Sequence, residues 1–474
     1  MARKCILSSM YYVPVEVIPD LAALKKRLTI NPIWFNRNEA RPRPILQYVL
    51  TDDDYVGVPV WFGLENYHHL PLIIRTSKGG ELHAPKRPDP NHEKVHNKAA
   101  QAKFFADTIK HFETFPAGLA VAGTGTGKTI CALNLAAERG RSTLVITDRE
   151  FLGFEQWIPE AKEKLGLVDA QIGIVQGNIC QYDREFVVGM AASIIKNIYP
   201  DEFYSAFGTL ILDELHKFAA PGMSTILSMF SAEVKLGQTA TPKRSDGTQQ
   251  IFLDYFGPCQ IKAEGSALHC QVKVVDYEDE DGRPMPGSHG ARMQRLARDD
   301  NRSRVLVKEI MEMYNEGRQI LVIGDDIKHL QRLEQMCWAK GVPKDRTGQF
   351  SRERYIMTNE PGEHHGQKVV IKRQKKARVT NDYLNWCKHH ARLIFSTYGM
   401  MKEGVDIPRL DGGIDVTPRR EAVQVIGRIR RPLPGKRVPK WVTVRDTAHK
   451  SLMGYFEERM RDYKSSNVEV IDND

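Results

Sequence analysis

The stretch Gly118-Leu-Ala-Val-Ala-Gly-Thr-Gly-Thr-Gly-Lys-Thr129 decides how the chain is read. An apolar run ends in a turn of small residues, and helical spacing follows from Lys128 to Glu138. Strand, glycine-rich turn and helix N-terminus, in that order, let successive backbone N–H groups curl around phosphates, with the positive end of the helix behind them. Gly123, Thr124, Gly125, Thr126 and Gly127 would form that cradle. Lys128 would reach the β- and γ-phosphates of ATP, and the Thr129 hydroxyl would ligate Mg2+. The strict pattern has glycine where this chain has Ala122. A chance glycine-rich turn is the bland alternative, and Gly127-Lys128-Thr129 in this context argues against it.

Around this stretch the chain alternates. Apolar runs at Thr143–Thr147, Ile172–Val175, Phe186–Val188, Thr209–Leu212 and Val234–Leu236 are separated by other segments, among them a helical stretch from Arg149 to Leu165. Runs buried on both faces that alternate with helices indicate a parallel sheet. A second set follows, with strands at Gln319–Ile323, Leu393–Thr397 and Trp441–Val444 and helices at Asp326–Lys340 and Glu421–Arg430. The acidic-then-basic stretch Asp276 to Arg304 joins the two sets. The expected fold class is therefore α/β, two tandem domains of parallel sheet flanked by helices, with a small α+β domain in front.

The expected boundaries are 1–90, 91–265 and 266–474. Residues 1–90 are turn-rich, with short β-like runs such as Gly57–Phe62, and Pro85 to His92 reads as a linker. Between about 350 and 382 lies a long polar insertion. Within it Lys368 to Arg378 holds six basic residues and no acidic one.

Two further motifs complete an ATP site. Leu210-Ile-Leu-Asp213-Glu214-Leu215-His216 ends a strand in two carboxylates, about 85 residues after Lys128. Asp213 would hold Mg2+ through its water shell, and Glu214 would orient and deprotonate the attacking water. In Gln424-Val-Ile-Gly-Arg428-Ile-Arg430-Arg431-Pro432, arginines of the second domain would neutralise charge on the transferred phosphoryl group. Arg428 and Arg431 are the expected fingers and Arg430 a bystander. A basic helix face that binds solvent or nucleic-acid phosphates is the other reading.

Composition sets wider bounds. The 474 residues are 41% hydrophobic and 27% charged, with a formal net charge of +9. That suits a globular protein with a bias toward a polyanionic partner. Seven scattered cysteines without a C-x-x-C pair argue against a disulfide framework or a metal cluster, and Cys387, His389 and His390 read as a surface turn. No apolar run is long enough to span a membrane, and the start MARKCILSSMYYVPVEVIPD lacks the apolar core of a signal peptide, so a cytoplasmic protein is expected.

In this order the elements resemble superfamily 2 helicases over roughly residues 95 to 450. The resemblance implies two RecA-like domains. Thr239-Ala-Thr241-Pro-Lys-Arg244 looks like motif III, and Ser396-Thr397 through Glu403-Gly404-Val405-Asp406-Ile-Pro408 looks like motif V. Leu144–Thr147 and Gln156-Trp157 look like motif Ia. The resemblance assigns coupling to His216, Thr239, Thr241, Gly404 and Asp406, nucleotide contacts to Gln101 and Gln424, and nucleic-acid contacts to Gln156 and Thr397. Gly-Gln-Thr-Ala-Thr-Pro-Lys-Arg together with Glu-Gly-Val-Asp-Ile-Pro is similar to the branch containing XPB, RecG and the tailed-phage UvsW branch-migration helicases.

The family implies ATP hydrolysis coupled to DNA unwinding, 3′ to 5′, on branched or duplex DNA in recombination, repair and replication, in the host cytoplasm if viral. A monomer working beside single-strand-binding or recombination proteins is the expected setting. An RNA helicase or transcript-releasing motor, or the motor subunit of a restriction complex, are the alternatives. Two departures stand out: Leu215 where the family has a small residue, and Asp148-Arg149 where motif Ia has proline and threonine. Lys372, Arg373, Lys375 and Lys376, flanked by Tyr355, Tyr383 and Trp386, are the expected contacts of a projecting basic element with a nucleic-acid junction.

Overall fold

The computed structural model describes residues 3–33, 42–92, 97–123, 126–148, 153–240, 244, 246–258, 261–263, 268–279, 288–364, 367–402, 407–420, 423–433, 435–464 and 468–472, with the side chains of 153, 289, 357, 359–364, 367–373, 402, 423, 424 and 472 left aside. The chain forms two compact units, Met1–Gly265 and Ser266–Asp474.

In the first unit the apolar runs pair as one eight-stranded sheet. Its order is Ile179–Cys180, Ile172–Gln176, Phe186–Met190, Thr143–Thr147, Thr209–Leu212, Val234–Thr239, Ala117–Val121 and Ile261–Lys262. Every pairing is parallel except the edge pair Ile172–Gln176 with Ile179–Cys180. The central strands are buried on both faces, which is why they read as unbroken apolar runs.

The sheet of residues 1–90 has five strands in the order Val49–Leu50, Tyr55–Val58, Tyr11–Pro14, Cys5–Leu7 and Leu72–Ile74. Sequence reading set this segment apart as a domain. In the structure its core is continuous with that of the larger sheet, since Leu7, Tyr11 and Val58 share a cluster with Leu119, Leu212 and Phe252. Polar ties add to it. Buried Lys235 donates to the carbonyls of Ser9 (2.6 Å) and Ser8 (3.3 Å), and Arg27 and Gln47 both reach the Asp254 carboxylate. The β-like run Gly57–Phe62 is a strand only to Val58. Pro59, which has no N–H to give a ladder, starts the helix Val60–Tyr67 instead. Gly63 of that helix lies on the Tyr11 ring, where a Cβ would come within 2.2 Å of Cγ.

The second unit holds a seven-stranded sheet in the order Thr347–Phe350, Leu393–Thr397, Ile320–Gly324, Gly412–Asp415, Lys440–Asp446, Cys270–Tyr277 and Val468–Asp472, parallel throughout. The start of the stretch expected to join the halves is thus a strand inside this sheet, Cys270–Tyr277. Two buried ion pairs sit at strand ends, Arg302–Asp446 (2.7 Å) and Arg459–Asp415 (3.0 Å).

The polar insertion is ordered as a hairpin, Glu353–His364 against Gln367–Arg378, in twelve register pairs from Glu353↔Arg378 to His364↔Gln367. At about 3.4 Å per residue it is roughly 40 Å long. Its root is clamped from the helix Ile327–Ala339, where Gln331 takes the Tyr355 N–H (3.1 Å) and donates to the Tyr355 carbonyl (2.9 Å). The expectation that its basic strand lacks compensating acids is corrected by this fold. Pairing brings Glu353 back beside Lys376 (2.9 Å). Cys387, His389 and His390 lie on the helix Asn381–His390, not in a turn, and Cys387 is buried.

Candidate nucleotide site

The P-loop strand Ala117–Val121 runs into the turn and then the helix Lys128–Arg139. Gly127 takes a φ of +85°, a backbone region that favours glycine, and delivers Lys128 at the helix start. Lys128 Nζ donates to the Ala122 carbonyl (3.0 Å) and more weakly to that of Gly123 (3.5 Å). Thr126 closes the turn by donating to the Gly123 carbonyl (2.7 Å). Gln101, from the helix Lys98–Thr114, lies against Gly127, and its buried Nε2 has no hydrogen-bond partner. A donor left unsatisfied beside a phosphate cradle fits a nucleotide acceptor.

Asp213 and Glu214 follow the strand Thr209–Leu212. Asp213 Oδ1 accepts from the Glu214 N–H (3.0 Å), and Oδ2 accepts from the Trp157 indole (3.1 Å). Burial, and next the Glu214 charge, push the Asp213 carboxyl up to about 6, against Lys128 and the two N–H donors. A crowded acidic pair of this kind fits a divalent cation. Glu214 stands at φ +51°, one of two non-glycine residues with positive φ among the described residues. Such backbone costs about 1–3 kcal/mol and is concentrated at functional sites.

His216 lies 3.2 Å from the Thr239 hydroxyl and 3.4 Å from Glu214, both through Nδ1. Burial lowers its pKa while Glu214 opposes that. Arg244 donates to the His216 carbonyl and forks onto Asp246 (3.0 and 2.5 Å), whose own carbonyl accepts from the Ile33 N–H (3.0 Å). The expected coupling residues His216 and Thr239 therefore do meet.

Leu215, the departure from a small residue, is fully buried, and its Cδ2 fills the space where a Cβ on residue 237 would sit at 2.5 Å. Gly237 thus makes room for it. Sequence reasoning assigned no role to Gln238. It is fully buried in the strand Val234–Thr239 and donates to the Lys128 carbonyl (2.8 Å), tying that strand to the P-loop helix. A glutamine directly after an apolar run, before the Thr239-Ala-Thr241 motif, was the available signal.

Gln156, expected as a nucleic-acid contact, has a partner in the P-loop helix. The stretch expected as one helix from Arg149 has a π turn at Gly153–Trp157 before the helix Ile158–Leu165, and this aims Gln156 Nε2 at Thr129 Oγ1 (3.1 Å). Thr124, Gly125, Thr241, Gly404, Asp406 and the side chains of Gln424, Lys372 and Arg373 lie outside the described residues.

In the second unit Arg428, Arg430 and Arg431 are all buried at the end of the helix Val423–Ile429. Burial lowers the pKa of Arg431 to about 10. Arg430 Nε donates to the Leu268 carbonyl (2.8 Å). Thr397 lines a cleft at the hairpin root with Ile327, Ser351, Arg352, Gly399 and Met400. Lys375 is exposed, and Lys376 pairs with Glu353. Among the described residues no three His, Cys, Asp or Glu side chains cluster as a metal site, six cysteines are free thiols, and no helix is long and apolar enough to cross a membrane.

A family model described as the res subunit of type III restriction enzymes matches residues 94–244, from before the P-loop through Arg244. The protein L396 of Acanthamoeba polyphaga mimivirus, which carries the name of an ATP-dependent RNA helicase, is 24% identical over 444 residues, 89% of this chain and 77% of its own. Helicase D10 of Escherichia phage T5 is 36% identical over 222 residues, 46% of this chain and 47% of its own. The DNA 3'-5' translocase XPB2 of Sulfurisphaera tokodaii is 28% identical over 167 residues, 35% of this chain and 36% of its own.

The chain is thus similar to helicases, over 89% of its length in the case of L396.

Among solved structures, Mss116p bound to ssRNA and AMP-PNP aligns with 83% of this chain and 81% of its own, at TM-score 0.51 and 12% identity. That is a likeness of fold, and the two units are RecA-like domains.

The Asp213 shift has a testable sign. A carboxyl whose folded pKa lies near 6, above its unfolded value, withdraws stability from the ligand-free protein as pH rises from about 4 to about 6. A cation held by Asp213 would need the ionised form, so Mg2+-dependent nucleotide binding is expected to weaken below about pH 6. Nucleotide titrations across pH 5 to 8, repeated with Asp213→Asn, check this: the variant should bind weakly and without that pH step.

Proposed function

We propose that this chain is a superfamily 2 helicase that hydrolyses ATP with Mg2+ and uses the cycle to move on DNA, 3′ to 5′, remodelling branched substrates such as forks and four-way junctions. The observation that carries the motor is the meeting of Lys128, Thr129, Asp213 and Glu214 around one P-loop, with His216 bridging to Thr239. When bound, Mg2+ supplies charge neutralisation to the phosphates, and Thr129 and Asp213 hold it. Lys128 exchanges the Ala122 carbonyl for a phosphate oxygen. Glu214 orients the attacking water and takes its proton. Arg428 and Arg431, supplied by the second unit, neutralise charge on the transferred group, so hydrolysis requires that unit to be brought to the nucleotide.

DNA as the track is supported by the XPB2 relative and by the joint pattern of motifs III and V. The basic hairpin supports a branched substrate. It forms a two-stranded sheet of its own, a structure that is marginal in water without a partner surface, and seven of its residues are basic against three acidic. Nucleic-acid phosphates would supply that partner, with Lys372, Arg373, Lys375 and Lys376 as contacts and Thr397 in the cleft at its root. One observation favours a second reading, an RNA helicase: L396, aligned over 89% of this chain, bears an RNA-helicase name.

The deciding experiment compares ATP turnover and strand release on a four-way DNA junction, linear duplex DNA, single-stranded DNA and duplex RNA, with Lys128→Ala as the blank. The proposal expects the junction to be resolved faster than linear duplex. Turnover driven by RNA and not by the junction would transfer the motor to RNA. Neutralising Lys372, Arg373, Lys375 and Lys376 together is expected to weaken junction binding at least tenfold, at about 1 kcal/mol or less per phosphate contact, and to flatten its salt dependence. Unchanged junction affinity would remove the hairpin from the interface.

A further inference from the structure

The π turn Gly153–Trp157 presents two successive side chains to the two residues that would hold Mg2+. Gln156 Nε2 donates to Thr129 Oγ1, and Trp157 Nε1 donates to Asp213 Oδ2, each at 3.1 Å. An i→i+5 turn is rare and tends to mark functional segments. Here its last two residues reach the P-loop helix and the strand-end carboxylate respectively.

The chemistry of each contact is specific. An indole N–H is a donor only, and Trp157 is fully buried, packed with Ala161, Leu165, Val145 and Phe186. It must find an acceptor, and the acceptor is the Asp213 carboxylate. With the Glu214 N–H on the other oxygen, the carboxylate plane is held from both sides. The Thr129 hydroxyl has one proton and two lone pairs. Gln156 occupies one lone pair, leaving the other for a cation and the proton for a phosphate oxygen.

We propose that Gln156 and Trp157 are positioning residues for Mg2+, which aim the Thr129 and Asp213 oxygens at the metal. This rests on the nucleotide-site reading above. It moves Gln156 from the nucleic-acid side of the domain to the nucleotide side. Outer partners of metal ligands commonly govern metal affinity by about 10- to 100-fold. Trp157→Phe removes the indole donor and keeps an aromatic ring in the core, and Gln156→Leu removes the amide donor at similar size.

The test is equilibrium binding of a fluorescent ADP to the full chain, titrated with Mg2+ and repeated in excess EDTA, with melting curves of each protein. Both variants are expected to raise the Mg2+ concentration at half-saturation by about tenfold or more, while nucleotide affinity in EDTA stays within about twofold of the parent. Gln156, half-buried, gives a second route if Trp157→Phe melts early. Equal loss of binding with and without Mg2+ would mean a structural role and overturn the proposal. So would unchanged Mg2+ dependence in both variants. A parent protein that binds no nucleotide with Mg2+ would overturn the nucleotide-site reading itself, a separate and distinguishable failure.

Discussion

Glu214→Gln is expected to lower ATP turnover by about 10^2- to 10^4-fold while nucleotide binding persists. The amide keeps the size of the side chain and its place beside His216 but cannot take a proton. The left-handed backbone at Glu214 is a property of the turn after the strand, so the substitution should leave the local fold alone. Phosphate release measured alongside nucleotide binding separates the two effects. Turnover within a few-fold of the parent would place the base elsewhere. Loss of binding as well as turnover would mean that Glu214 holds the site together and does not act on water.

The second large effect is on stability. Arg302→Ala is expected to destabilise the second unit by about 3–5 kcal/mol, because it leaves Asp446 as a buried charge without its fork. Arg302 is 1% exposed and also donates to the Val416 carbonyl (2.7 Å), so it ties the helix Asp300–Asn315 to two strand ends at once. For a unit of this size the melting temperature should fall by roughly 10 °C. Replacing both partners with apolar residues, Arg302→Met with Asp446→Leu, should cost less than the single change, since no charge is then stranded. A single variant that melts with the parent would show that water reaches Asp446.

Several elements stood in the sequence because their physics is local. The P-loop depends on consecutive small residues and a helix start, so strand, turn and helix could be read from Gly118 to Glu138 without any partner. Parallel strands buried on both faces leave apolar runs, and Thr143–Thr147 and Thr209–Leu212 were legible for that reason. The pairing of carboxylates in Asp213-Glu214 was legible because their chemistry lies in adjacent residues.

What the sequence hid depends on contacts between distant residues. Lys368 to Arg378 looks uncompensated along the chain, and only strand pairing returns Glu353 to Lys376. Leu215 looks like a misfit in its motif until Gly237, more than twenty residues away, is seen to clear its space. Gln156 looks like a residue of motif Ia, while one extra residue in a helical turn swings it to Thr129. The sequence by itself determined the central parallel strands and the phosphate cradle, because backbone propensity and burial on both faces act over a few residues. The tertiary structure alone decided which side chain meets which carboxylate, and that residues 1–90 share a core with the first RecA-like sheet, because a buried donor such as the Trp157 indole takes whatever acceptor the packing brings to it.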